Sequence, residues 1–123
     1  MDRENAVTVA IIDDDAEVRD VLRGLLESVG HTVQTYRSGA QFLAEARFDE
    51  ILCLVVDQRM PGMTGLELIS KINNDGVMIP TLLITGAHDT EIVREAANLG
   101  AMTVLEKPLS SATLLRFVAF STE

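Results

Sequence analysis

Apolar and polar positions along the chain follow two alternating periods. Short apolar runs recur at residues 7–12 (VTVAII), 32–36 (TVQTY), 51–56 (ILCLVV), 79–85 (IPTLLIT) and 102–105 (MTVL). Longer stretches between them place apolar residues at helical spacing. Val18, Val21, Leu22, Leu25, Leu26 and Val29 follow the i, i+3, i+4, i+7 rule and form the first such stripe. Phe42, Leu43 and Ala46 form the next, then Leu66, Ile69 and Ile72. Ile92, Val93, Ala96 and Leu99 follow, and Leu114, Leu115 and Val118 close the series. Ser38 with Gln41, and Thr64 with Glu67, spell capping boxes at helix starts. Asp15 and Asp89 suit N-cap positions, while Gly30, Gly76 and Gly100 sit where periodic segments stop. The pattern predicts strand and helix alternating five times. Such alternation implies right-handed crossovers and a parallel sheet with helices on both faces. The unbroken apolar runs at 51–56 and 79–84 suit strands buried on both sides.

Composition narrows the picture. A chain of 123 residues suits one domain spanning 1–123. Apolar residues make up 47% and aromatic ones only 4%, so the core must consist mainly of Val, Ile, Leu, Ala and Met. With 19 acids against 10 bases the net charge is −9, which disfavours direct contact with nucleic acid or anionic membrane. Cations and basic partner surfaces stay open as ligands. No run approaches the roughly 20 apolar residues of a membrane span. The opening MDRENAV has no signal-peptide hydrophobic region, so the cytoplasm is the expected location. Cys53 is the single cysteine and lies in an apolar run, where it reads as a buried reduced thiol.

Sites in open parallel sheets form beyond the carboxyl ends of the strands. Asp13, Asp14 and Asp15 follow the first strand, Asp57 the third, Thr85 and Gly86 the fourth, and Glu106, Lys107 and Pro108 the fifth. Carboxylates gathered with too few bases repel one another unless a cation joins them. The candidate ligands are all hard oxygens, which favours Mg²⁺ or Mn²⁺ over zinc or copper. Asp13 and Asp14 are the expected cation ligands. Asp57, at the end of the most buried strand, can attack phosphorus and become an aspartyl phosphate. The cation, Lys107 and Thr85 would then share the charge on the transferring phosphoryl oxygens.

These residues resemble a known family. IIDDD (11–15), LVVDQRMPGMTGLEL (54–68), LLITG (82–86) and VLEKP (104–108) stand in order at the spacings of a bacterial two-component response-regulator receiver domain. The resemblance covers essentially the whole chain. It implies a flavodoxin-like, doubly wound α/β fold, with a five-stranded parallel sheet in order 2-1-3-4-5 and five helices. It implies that Asp57 accepts a phosphoryl group from a sensor histidine kinase or phosphotransfer protein. The chain would catalyse only its own phosphorylation and dephosphorylation and would switch conformation to control an output domain or partner. Asp14 and Asp57 would bind Mg²⁺ directly and Asp13 through water, with the backbone carbonyl of Arg59 completing the protein ligands. Thr85 and Lys107 would contact the phosphoryl oxygens, and the Lys107–Pro108 peptide would be cis. The face made by helix four, strand five and helix five would carry the response, including a homodimer contact. Val104 stands where the family usually carries Tyr or Phe. Residues 58–65, together with ITG and EKP, also look similar to receivers that precede helix-turn-helix output domains.

Other readings attach to the same residues. Asp15 reads as a helix cap. Arg59 is a solvated loop charge or a modulator of hydrolytic water. Pro61, Gly62 and Gly65 shape a tight loop, and Met60 and Met63 fill gaps. His31 and His88 read as polar surface, and Phe117 and Phe120 either pack inward or meet a partner. Asp13 and Asp15 also spell the D-x-D of haloacid-dehalogenase-type phosphatases, a rival enzyme reading. Residues 13–24 lack the glycine and glutamate that a calcium-binding EF-hand loop places at positions six and twelve.

Overall fold

The computed structural model describes residues 6–86, 90–99 and 102–122. Among these described residues five strands and five helices alternate: β1 (Thr8–Ile12), α1 (Ala16–Ser28), β2 (Thr32–Tyr36), α2 (Gly39–Glu45), β3 (Ile51–Asp57), α3 (Gly65–Asn74), β4 (Thr81–Thr85), α4 (Thr90–Leu99), β5 (Met102–Glu106) and α5 (Ser111–Ser121). A short 3₁₀ turn, Phe48–Glu50, leads into β3. All strand pairs are parallel, in the order β2-β1-β3-β4-β5, as expected.

Strand alternation divides the core into two layers. Val9, Ile11, Cys53, Val55, Leu82 and Ile84 face α1 and α5, meeting Leu22, Leu26, Leu114 and Val118. Ala10, Ile12, Leu54, Val56 and Leu83 face the other way, against Phe42, Leu66, Ile69, Ile72 and Ala96 of α2, α3 and α4. Phe42 anchors that second layer, with Tyr36 edge-on at 5.1 Å and Phe48 tilted at 5.6 Å. The central strand β3 is almost wholly enclosed, as its unbroken apolar run requires. Cys53, the single cysteine, is buried.

Several boundaries differ from the sequence expectation. The fourth strand begins at Thr81 rather than Ile79, because Pro80 has no N–H to give a ladder; its carbonyl instead accepts from the Leu54 amide at 2.9 Å. The stripe on α1 is narrower than its apolar pattern. Leu22 and Leu26 are buried, whereas Val21 is 68% exposed. At about 100° per residue, Val21 lies roughly 120° from the centre of the face that Leu22 and Leu26 define. Val29 is 54% exposed because it caps the helix with non-helical backbone and leaves the stripe.

The capping predictions divide similarly. Thr64 and Glu67 form the full reciprocal box at the start of α3. Ser38 accepts from the Gln41 amide, but the Gln41 side chain accepts from Arg37 N–H rather than from Ser38, so that box is half formed. Gly30 and Gly76 carry the left-handed backbone expected where helices stop. Asp89 and Gly100 lie outside the described residues. Thr64→Ala removes one half of the α3 box and should cost about 1 kcal/mol of unfolding free energy, read by urea denaturation.

Candidate phosphoacceptor site

The parallel register brings the strand ends to one edge of the sheet. Ile12 lies opposite Val56, Asp57 opposite Ile84, and Thr85 opposite Glu106. The residues that follow β1 and β5 therefore converge on the end of β3. Carboxylate oxygens of Asp13, Asp14 and Asp57 come within 4.8 Å of one another. Asp13, Asp57 and Thr85 are buried, while Asp14 is exposed. Lys107 Nζ lies 3.4 Å from Asp57 Oδ1, with the carboxylate buried and the ammonium half-exposed. The Lys107 amide donates to the Thr85 carbonyl at 2.9 Å, which joins the ends of β4 and β5. The Lys107–Pro108 peptide is cis.

Local hydrogen bonds hold the loop after β1. Asp13 N–H donates to the Tyr36 carbonyl at 3.0 Å, and Asp13 Oδ1 accepts from the Asp15 amide at 2.9 Å. Arg19 Nη1 donates to the Asp13 carbonyl at 2.6 Å. Asp15 is the N-cap of α1, accepting from the Glu17 and Val18 amides. That task occupies the second acid of the D-x-D spelling, and Asp15 is exposed rather than turned into the cluster. The dehalogenase-type reading loses its motif there.

Burial raises the Asp13 carboxyl above its ordinary value of 3.8, and the nearby Asp57 and Asp14 charges push the same way; the Asp15 amide and Lys107 oppose them. A buried carboxyl with a raised pKa destabilises the fold when ionised, and the penalty lifts as pH falls through its folded value. Asp13→Asn should therefore raise the melting temperature of the metal-free protein at neutral pH. The gain over wild type should shrink as pH falls into the carboxylate range, and thermal scans across that range read it.

The loop from β3 to α3 is closed at its neck. Gln58 N–H donates to the Ile84 carbonyl at 2.8 Å, and the Gln58 carbonyl accepts from Gly65 N–H at 3.1 Å. Gln58 Oε1 accepts from the Leu66 amide at 2.9 Å. Arg59, next in the chain, points an exposed side chain outward, and Met60 is buried. Met63 packs on the α2–α4 layer, the gap-filling role expected of it. Val104 is half-buried against that same layer. Phe117 packs against the α1–α5 layer, while Phe120 is 65% exposed. His88 lies outside the described residues.

Sequence reasoning assembled Asp13, Asp14, Asp57, Thr85 and Lys107 at one edge, and the structure brings them together. Arg59, whose backbone carbonyl is the further expected ligand, lies two residues after Asp57 with its side chain exposed. It missed Arg19 and Gln58, whose bonds span six and eight positions and leave no local signature.

A three-carboxylate pocket with one lysine, at the carboxyl edge of a five-stranded parallel sheet in this order, defines the class. The chain belongs to the response regulator receiver domain family, whose family model matches residues 9–119. It is 40% identical over 116 residues to the transcriptional regulatory protein FixJ of Azorhizobium caulinodans, covering 94% of this chain and 55% of that protein. The response regulator StyR has a solved structure with TM-score 0.86 and 37% identity, covering 94% of this chain and 58% of that one. The chemotaxis protein CheY4 of Vibrio cholerae matches with TM-score 0.84 and 27% identity, covering 94% of this chain and 98% of that one. The chain thus spans about half the length of the curated relatives it matches. Among the described residues, no helix is long and apolar enough to cross a membrane.

Proposed function

We propose that Asp57 is the phosphoacceptor and that this pocket works with Mg²⁺. The observation that carries the reading is the meeting of three carboxylates with Lys107 3.4 Å from Asp57. The donor set fits a hard divalent cation: it is all oxygen, and mutual repulsion is part of what raises the Asp13 carboxyl. Asp14, Asp57 and the Arg59 carbonyl would hold the ion, with Asp13 acting through water. When bound, Mg²⁺ supplies charge neutralisation for the phosphoryl oxygens.

The donor is a phosphohistidine on a sensor kinase or phosphotransfer protein, or a small acyl phosphate. A carboxylate oxygen of Asp57 forms a bond to phosphorus as the phosphorus–nitrogen bond of the phosphohistidine breaks. The electron pair of that bond stays on the imidazole nitrogen, which takes up a proton. From an acyl phosphate a phosphorus–oxygen bond breaks instead, and the carboxylate leaves with the electron pair. Lys107 exchanges its contact with the carboxylate for one with the new phosphoryl oxygens, and the Thr85 hydroxyl donates to another of them. Drawing Thr85 and Lys107 inward biases β4, β5 and the flanking helices α4 and α5 toward a second arrangement. Val104 offers no ring to rotate, so the shift passes through the strand ends themselves. The α4–β5–α5 face carries the response to an output domain, a partner or a second copy; Val93 of α4 and Phe120 of α5 are exposed.

Incubation with acetyl phosphate and Mg²⁺, followed by peptide mapping, should place one phosphoryl group on Asp57. Beryllofluoride should shift amide resonances of β4, β5 and α5. Label on any other residue would overturn the reading.

A further inference from the structure

We propose that Gln58 is a positioning residue for the cation site, an inference that rests on the phosphoacceptor reading above. Gln58 directly follows the phosphoacceptor and directly precedes Arg59. All three polar groups of its backbone and side-chain carbonyl are engaged in different directions. Its N–H bonds β4 at the Ile84 carbonyl, 2.8 Å away. Its carbonyl takes the Gly65 amide at 3.1 Å, and Oε1 takes the Leu66 amide at 2.9 Å. The last two tie the first residue of the loop to the first turn of α3 and so clamp residues 58–65 at the neck.

The side-chain bond has no backbone substitute. Leu66 N–H is one of the donors that a helix start leaves unpaired, and Thr64 satisfies the amide of Glu67 instead. A glutamine oxygen eight positions upstream fills that vacancy. Without it the neck keeps one fewer tie, and the carbonyl of Arg59 must be ordered when the cation binds. Affinity then falls by the cost of that ordering, while the saturated site is unchanged.

Gln58→Met preserves length and replaces the carbonyl acceptor by a thioether, a far weaker one, without adding charge. Isothermal titration of the metal-free protein with Mg²⁺, with no phosphoryl donor present, should show a dissociation constant raised about three- to tenfold, at or below the low end of the ~10–100-fold effect seen when a metal ligand's own partner is removed. The acetyl phosphate reaction at saturating Mg²⁺ should keep its wild-type rate within about twofold. Gln58→Leu should repeat both results. Thr64→Ala is the control: it weakens the same helix end but leaves the Gln58 bonds intact, and its Mg²⁺ affinity should stay at wild type.

An unchanged dissociation constant in both Gln58 variants, or an equal loss in Thr64→Ala, would overturn the assignment. A fall in the saturated rate with unchanged affinity would do the same. If wild type itself neither bound Mg²⁺ nor took up phosphate, the failure would belong to the phosphoacceptor reading instead.

Discussion

Asp57→Asn is expected to lose phosphorylation entirely, with incorporation from acetyl phosphate at least about 100-fold below wild type, the scale on which removal of an essential catalytic group acts. The amide keeps the shape of the side chain and its place at the end of β3 but loses the nucleophilic oxygen charge. It also releases Lys107 from its contact at 3.4 Å. Among the described residues, the two nearby carboxylates are placed differently: Asp14 is exposed, and Asp13 Oδ1 already accepts the Asp15 amide. Radiolabel or intact-mass measurement decides the matter. The variant should stay folded, because replacing a buried charge by a neutral amide removes repulsion from Asp13. Retention of substantial label would show that the acceptor lies elsewhere.

Gly65→Ala carries the second large effect and joins stability to chemistry. A Cβ at this position would lie 2.6 Å from Leu83 Cδ1, 2.9 Å from the Asp57 carbonyl oxygen and 3.1 Å from Val56 Cγ1. A flexible side chain could move aside, but the carbonyl belongs to Asp57, the proposed phosphoacceptor, and is fixed in the centre of the sheet. Overpacking of this kind costs about 1–3 kcal/mol. Alanine regains at most about 1 kcal/mol of helix propensity, so the loss wins. The shift needed to relieve the clash moves Asp57, and phosphorylation should slow as stability falls. Gly62 is the contrasting case: nothing lies within 4 Å of a Cβ there, but its φ of +84° strains any side chain. Gly62→Ala should cost about 1–2 kcal/mol from backbone strain alone. Urea midpoints and acetyl phosphate kinetics on the two variants should separate packing from strain.

Most of the architecture was legible because it rests on periodicities. Strand runs, helical stripes and capping residues fixed each element within a few positions, and the family motifs fixed the order of strands. The site was legible for the same reason: in a parallel sheet the residues after each strand share one edge. What escaped had physical causes. The exposure of Val21 depends on which arc of α1 meets the sheet, and an apolar stripe wider than the contact does not reveal that arc. Gln41 reaches Arg37 rather than Ser38 because its carbonyl can choose between adjacent amides. Arg19 and Gln58 act through single long-range hydrogen bonds to backbone groups, for which a linear sequence holds no spacing rule. Asp15, by contrast, was assigned as a cap from its neighbours alone, and its amide contacts bear this out.

The strand order also bears on how the chain is made. The first three strands to leave a ribosome form a contiguous block, β2-β1-β3, and β4 then β5 each add to the outer edge of the strand synthesised before it. Growth can therefore follow translation without waiting for a later segment to insert between earlier ones. The three acids are in place once that first block has formed, but Lys107 arrives only after β5. A nascent chain halted before that point would hold the negative half of this pocket and lack the positive half, so the pocket would be complete only once β5 has emerged.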